Sequence, residues 1–250
     1  MINTLIKLVE QQQTEYAKNK SRKYLKDNSQ FFTPNNIALK MIETIDTERF
    51  LNNDELRILE PSAGFGILII SLINHLLNHE NSMIERIIID AYEMEKEISM
   101  TLGKNLGLLK HILEQNYGIL LEYNVIDENF ILANKNEWLS EENPHKYNII
   151  ISNPPFSKIN QSSDEAKIME DIVYGQPNIY TLFIGMCLKL LDTNGVYSVI
   201  SPRNYLTGEY SKKLRNYIFN NFTLSHIHSF DKRNIFRLVN QEIIISTYLN

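Results

Sequence analysis

The order of strand-like and helix-like segments is the feature that most constrains the fold of this chain. Runs rich in isoleucine, such as RIIIDAY at 86–92 and YNIIIS at 147–152, alternate with segments whose apolar residues recur at helical spacing. Strands that alternate with helices form a mostly parallel sheet, because each crossover returns the chain to the same end of the sheet. We therefore predict an α/β fold with a seven-stranded, mostly parallel sheet and helices on both faces.

The predicted elements follow one another in a regular order. We expect helices at 67–77, 95–106, 178–191 and 209–219, with an earlier one that begins near Asn35, and strands at 57–59, 86–92, 119–125, 147–152 and 196–201. Two last β-runs, 224–230 and 242–248, leave no room between them for a helix, so they predict an antiparallel pair at one edge. Ligands of such sheets bind at the carboxyl ends of the strands, where the unusual residues of this chain lie.

Residues 1–29 differ from the rest. Ile2, Leu5, Ile6 and Val9 share one face of a short amphipathic helix, and a charged stretch follows. We expect this segment to be an N-terminal helical arm, and residues 30–250 to form the α/β domain.

Composition excludes several classes of protein. The single cysteine of the 250 residues excludes a disulfide framework and a multi-cysteine zinc site, and we expect no metal. The N-terminus turns polar after Val9, and no apolar run reaches the roughly 18 residues that cross a bilayer. We expect a soluble, cytoplasmic protein with no membrane partner. The net charge of −5 argues against nucleic-acid binding by bulk charge alone, although local basic clusters remain.

The segment EPSAGFG, residues 60–66, follows the first predicted strand. An acid, Glu60, precedes a turn of small residues in which Gly64 and Gly66 let the backbone approach a ligand closely. No Gly-Lys-Ser/Thr follows, so the turn is not a triphosphate loop, and the third glycine of the dinucleotide fingerprint is missing. The segment indicates a nucleotide-type site; a tight turn with no ligand is the alternative.

Glu93 stands at the end of the second predicted strand. An acid at this position of a doubly wound fold accepts hydrogen bonds from ribose hydroxyls. An ordinary solvated glutamate is the alternative.

The segment Asn153-Pro154-Pro155-Phe156 directly follows the strand YNIIIS. Its two prolines fix the backbone and remove two donors, which leaves carbonyl oxygens free to face a cleft. Asn153 adds a side-chain acceptor, and Phe156 adds an aromatic face. Together they suit a planar amino group held by two acceptors and stacked on a ring, with a purely structural turn as the alternative.

EPSAGFG, YEME and NPPF in this order, with FFTP upstream, resemble the S-adenosylmethionine-dependent DNA adenine-N6 methyltransferases of restriction-modification systems. The resemblance covers about residues 30–250 and the branch in which the cofactor motifs precede the catalytic motif. It implies a Rossmann-like class I methyltransferase domain, S-adenosylmethionine as cofactor, double-stranded DNA as partner, and methyl transfer to the N6 of a flipped adenine.

The resemblance also implies roles for individual residues. Phe32 and Thr33 match the element that closes over the methionine end of the cofactor, and Asn153, Pro154, Pro155 and Phe156 match the catalytic loop. The loop around the methionine moiety is matched by Glu60, Pro61, Ala63, Gly64 and Gly66, and the ribose and adenine contacts by Glu93 and Met94.

Two further positions are assigned by the same resemblance. The family usually carries Asp-Phe after the third strand, where this chain has Asn129-Phe130, with Asp127 in a shifted loop as the alternative. In the tail, Phe236 matches the aromatic residue that packs against the flipped base.

The sequence alone is also compatible with other functions. A protein glutamine-N5 or an RNA adenine methyltransferase also uses NPP followed by an aromatic residue, and a non-catalytic DNA-holding subunit is a third alternative. A cytosine-C5 methyltransferase needs a nucleophilic cysteine, whereas Cys187 lies in an apolar run that predicts a core position. We expect these residues to lack the target-recognition region, and we therefore expect a downstream recognition domain or a separate specificity or nuclease subunit.

Overall fold

A seven-stranded sheet forms the centre of the molecule in a computed structural model that describes residues 1–79, 82–142, 144, 146–230 and 242–250. The strand order is β3-β2-β1-β4-β5-β7-β6. The strands are β1 (Glu55–Glu60), β2 (Arg86–Tyr92), β3 (Leu120–Ile126), β4 (Tyr147–Ser152), β5 (Leu191–Pro202), β6 (Thr223–Ser229) and β7 (Ile243–Leu249).

The first five strands pair in parallel, and β7 runs antiparallel between β5 and β6. The predicted α/β class and the mostly parallel sheet are therefore confirmed. The antiparallel strand β7 lies one position inside the edge, and β6 is outermost. In β4 the residues from Ile149 to Ile151 are fully buried, as expected for a central parallel strand covered on both faces.

Helices cover the sheet in two groups whose members contact one another. The first group is α1 (Ile2–Asn19), α3 (Asn35–Ile42), α4 (Ile67–Leu76) and α5 (Lys96–Asn116). The second is α6 (Phe130–Ala133), α7 (Lys135–Leu139), α8 (Asp164–Ile168), α9 (Ile179–Leu190) and α10 (Lys212–Asn221). A short helix, α2 (Arg22–Asp27), follows α1.

Helix α5 is longer than the predicted 95–106. It continues to Asn116 because Leu109 and Leu113 are fully buried. Their burial outweighs the roughly 1 kcal/mol that a glycine such as Gly107 costs inside a helix.

The N-terminal segment is helical, as predicted, but it does not extend away from the domain. Ile2, Leu5, Ile6 and Val9 are buried in the same hydrophobic core as the sheet, and α1 contacts α4 and α5. Helix α1 therefore forms part of the layer that covers one face of the sheet.

None of the helices in the described ranges combines the length and the apolar content that crossing a membrane requires.

Candidate functional site

A cavity of about 460 Å³ lies where β1, β2, β3 and β4 end. Its volume is in the range of sites that hold a nucleoside-sized ligand. Most of the residues predicted for the site contribute to its wall: Phe32, Thr33, Glu60, Pro61, Ala63, Gly64, Glu93, Met94, Asn129, Phe130, Asn153 and Pro155. The structure thus brings together segments that lie far apart in the chain; Thr33 and Asn153, for example, are 120 positions apart and in contact.

The other predicted residues lie elsewhere. Gly66 ends the glycine turn as the N-cap of α4, and Pro154 is buried in the loop that follows β4; neither residue lines the cavity. Phe156 is also buried, and its ring stacks on that of Phe31 at 5.8 Å between centroids. Phe236 lies outside the described residues, so its predicted contact with a base stays a prediction.

The turn after β1 requires its glycines. Gly64 and Gly66 both have positive φ, of 55° and 87°, a region that only glycine enters without strain. A Cβ atom on Gly66 would lie 2.8 Å from Cδ1 of Leu102 in α5. The turn therefore allows α4 to begin close against α5.

The turn is also tied to its neighbouring loops. The backbone N–H of Ala63 donates to the carbonyl of Tyr92 at 2.8 Å, and the Ser62 hydroxyl donates to the carbonyl of Asn153 at 3.0 Å. The loops after β1, β2 and β4 consequently share hydrogen bonds.

Glu60 ends β1 with a carboxyl group that is almost completely buried. One of its oxygens, Oε2, has no hydrogen-bond partner among the described residues. Burial raises the pKa of Glu60 well above its usual range; a hydrogen bond from the Ile69 backbone opposes the rise, and the charge of Glu93 adds to it. Oε2 of Glu60 is therefore a buried polar atom that no described residue pairs.

Glu93 occupies the corresponding place after β2. Its Oε2 accepts from the backbone N–H of Gly64 at 3.0 Å, and its Oε1 accepts from that of Glu95 at 2.8 Å. Burial raises the pKa of Glu93, against the lowering effect of these two donors. A carboxylate oxygen can accept more than one hydrogen bond, so both oxygens remain available to a ligand.

Asn129, rather than Asp127, reaches the cavity after β3. Its Oδ1 caps α6 by accepting from the backbone N–H groups of Ile131 and Leu132, at 3.0 and 3.2 Å. Its Nδ2 donates to Oε1 of Glu165 in α8 at 2.9 Å. The amide thus links α6 to a carboxylate on another helix.

Asn153 begins the loop that follows β4, and its amide is fixed in one orientation. Nδ2 donates to the carbonyl of Phe31 at 2.8 Å and to the hydroxyl of Thr33 at 3.0 Å. A carbonyl oxygen can only accept, so the NH₂ group must face Phe31 and Oδ1 must point the other way. Oδ1 is buried and has no hydrogen-bond partner among the described residues.

The N-terminal part of the wall was not predicted from the sequence. Gln13 from α1, and Asn28, Ser29 and Gln30 from the turn after α2, also line the cavity. Tyr16 of α1 packs edge-on against Phe32 and Phe65, which explains how α1 reaches the site. The one available signal was that Gln30 directly precedes FFTP.

Cys187 lies in the core, as predicted. Its side chain is fully buried in α9, and burial raises the pKa of the thiol. It is not among the residues that line the cavity.

The strand order, with its cavity at the carboxyl ends of the parallel strands, defines a class I S-adenosylmethionine-dependent methyltransferase fold. A Listeria monocytogenes protein described as such a methyltransferase superposes with a TM-score of 0.72 at 14% identity, covering 100% of this chain and 68% of its own. The M protein of the type I restriction enzyme EcoKI superposes with a TM-score of 0.55 at 20% identity, covering 89% of this chain and 44% of its own.

The chain belongs to the Eco57I restriction-modification methylase family, whose sequence model matches residues 6–236. It is 27% identical to the type II methyltransferase M.BsuBI of Bacillus subtilis, over 82% of this chain and 39% of that protein. It is 29% identical to the type II methyltransferase M.PstI of Providencia stuartii, over 72% of this chain and 34% of that protein. The matched part therefore spans little more than a third of the length of these relatives.

Proposed function

We propose that this chain is the methyltransferase part of a restriction-modification enzyme that methylates the N6 of adenine in DNA, with S-adenosylmethionine as the methyl donor. The observation that carries the proposal is the orientation of Asn153. Its Oδ1 is a buried acceptor without a partner among the described residues, in a cavity that also contains Glu60 and Glu93. Family membership and the two curated relatives named as type II methyltransferases support it.

The residues of the cavity fit this cofactor. Leaving a buried acceptor unpaired costs about 1–3 kcal/mol, so Glu60 Oε2 is a place where a ligand that carries donors or a positive charge gains binding energy. In the proposed complex Glu60 and the glycine turn hold the methionine end, and Glu93 holds the ribose. Met94, Asn129 and Phe130 then surround the adenine.

S-adenosylmethionine, when bound, supplies a sulfonium methyl group: the new N–C bond forms as the C–S bond breaks, its electrons stay on sulfur, and one N6 proton leaves to solvent. Asn153 Oδ1 accepts one N6 hydrogen, and the Pro154 carbonyl accepts the other. Accepting both hydrogens draws the nitrogen lone pair out of conjugation with the ring. Catalysis by these residues then rests on orientation and on dipoles that are already in place.

The target adenine must leave the DNA helix, because its N6 is otherwise paired. This costs a few kcal/mol, which stacking on aromatic side chains partly offsets. We propose Phe156 and Phe236 as the contacts of the flipped base. In the structure Phe156 is held between Phe31 and Tyr180, so the base would join an aromatic group that is already assembled.

DNA recognition is proposed to depend on more than residues 1–250. The curated relatives are more than twice as long as the matched part, and the net charge of this chain is −5. A downstream recognition domain, or a separate specificity or nuclease subunit, would supply base reading and much of the contact with phosphates. We propose a cytoplasmic location, because the proposed substrate is genomic DNA.

Product identity tests the proposal. The full-length protein is incubated with labelled S-adenosylmethionine and, separately, with duplex DNA, with ribosomal RNA and with a release-factor protein. Nucleosides and amino acids are then separated by liquid chromatography and mass spectrometry. N6-methyladenine in DNA alone is the expected result. N6-methyladenine in RNA, methylglutamine in protein, or cofactor binding with no methylated product would each contradict it.

A further inference from the structure

We propose that Thr33 is a positioning residue for Asn153, a role that rests on the proposed adenine methylation. The resemblance places Thr33 beside the methionine end of the cofactor. The geometry points instead to the catalytic amide: the Thr33 hydroxyl accepts from Asn153 Nδ2, at 3.0 Å, across the cavity wall. Thr33 and the Phe31 carbonyl together form what we call the amide clamp.

The clamp occupies both N–H groups of the Asn153 amide. One donates to the Phe31 carbonyl and the other to the Thr33 hydroxyl, so neither is left to compete for the substrate. If the amide rotated by half a turn, Oδ1 would face the Phe31 carbonyl, and two acceptors would meet with no hydrogen between them. The clamp therefore selects the one orientation in which Oδ1 is free.

The clamp residues are themselves held in place. Thr33 is 4% exposed. The Phe31 ring stacks on Phe156 with an interplanar angle of 18°, and Phe32 packs edge-on against Phe65 at 5.3 Å. Because the residues that hold it are themselves fixed, the Asn153 amide keeps its orientation and does not reorganise during the reaction.

Loss of the hydroxyl should affect the rate more than it affects cofactor affinity. Valine has nearly the shape of threonine but cannot accept a hydrogen bond, so Thr33→Val leaves one Asn153 N–H buried without its partner. The amide is then held only by the Phe31 carbonyl and can swing about that one hydrogen bond, so Oδ1 spends less time facing the substrate. Thr33→Ser keeps the hydroxyl and should restore the orientation.

The kinetic test compares Thr33→Val, Thr33→Ser and a control in the full-length protein. Thr47→Val is the control, since Thr47 is also buried but bonds His79, at 3.2 Å, in a short helix away from the site. We expect Thr33→Val to lower the single-turnover rate by about 10- to 100-fold, with the cofactor Kd changed by less than about twofold. Thr33→Ser and Thr47→Val should stay within about threefold of the wild-type rate. A Thr33→Val rate within that same range, or a loss of cofactor affinity that matches the loss of rate, would overturn the clamp.

A second readout does not depend on activity. The side-chain amide protons of Asn153 are identified in a ¹⁵N spectrum by their absence from Asn153→Asp, and their exchange with solvent is measured. We expect protection in the wild type and in Thr33→Ser, and faster exchange in Thr33→Val. Equal exchange in all three would overturn the clamp. Protection that Thr33→Val removes, in a protein that methylates no DNA, would uphold the clamp and overturn the proposed function.

Discussion

The carboxylate of Glu93 accepts a hydrogen bond from the backbone N–H of Gly64 at 3.0 Å, so the end of β2 holds the glycine turn that follows β1. The other oxygen of Glu93 accepts from Glu95 at 2.8 Å. The two loops that form this side of the cavity are therefore one hydrogen-bonded unit. Glu93, which we propose to bind the ribose, therefore also holds the glycine turn in its observed conformation.

Glu93→Ala should weaken S-adenosylmethionine binding by about 1–3 kcal/mol, because the ribose hydroxyls and the Gly64 N–H both lose their acceptor. Calorimetry measures the affinity directly. Glu93→Gln keeps one acceptor and should give an intermediate value. Glu97→Ala, which removes a largely exposed carboxylate four residues further along, is the control. Equal affinities for Glu93→Ala and the wild type would contradict the ribose assignment.

Gly66→Ala should destabilise the fold by about 1–3 kcal/mol, because an alanine at this positive φ is strained. Its Cβ would also meet Leu102 at 2.8 Å. Gly103→Ala is a matched control in α5, with no atom within 4 Å of the added Cβ, and should stabilise the fold by up to about 1 kcal/mol. Thermal unfolding of both variants checks the pair. A Gly66→Ala variant as stable as the wild type would show that the turn does not need its glycine.

Asn129→Asp should destabilise α8, because it places a second carboxylate 2.9 Å from that of Glu165, where the amide now donates. Adding Glu165→Gln removes the repulsion and supplies a donor. A double-mutant cycle on unfolding should therefore give a coupling of about 1–2 kcal/mol in favour of the double variant. Strict additivity of the two changes would contradict the contact.

The pH dependence of stability follows from Glu60. Burial raises its pKa in the folded protein, so the folded state keeps the proton to a higher pH than the unfolded chain does. The contribution of Glu60 to stability is greatest below its usual pKa, and it falls as the pH rises from that value to the raised one.

Thermal unfolding of the cofactor-free protein at a series of pH values tests this. The wild type should lose stability across that window relative to Glu60→Gln, which cannot titrate. A constant difference between the two melting temperatures at every pH would contradict a raised pKa.

Much of the fold was predictable from the sequence because its signals are local. β2 and β4 were predicted at their observed bounds, since each contains three consecutive isoleucines and is followed directly by a residue of the site, Glu93 or Asn153. The acids and glycines of the site were predictable because they directly follow strands, and parallel strands bring their carboxyl ends to one edge of the sheet.

The contribution of α1 was not predictable in this way. An amphipathic helix shows that one face is buried, but not against which partner, so the contacts of Tyr16 with Phe32 and Phe65 could not be read from the sequence. The orientation of the Asn153 amide likewise depends on two acceptors about 120 residues away.

The most direct test of the central claim is the single-turnover formation of N6-methyladenine by Asn153→Ala, measured beside its cofactor affinity. The account predicts that the rate falls by at least about 100-fold, because an acceptor aimed at the reacting amino group is lost. It also predicts that the Kd for S-adenosylmethionine changes by less than about threefold, because the interaction is made mainly in the transition state. A rate within about tenfold of the wild type would contradict the role of Asn153 in methyl transfer.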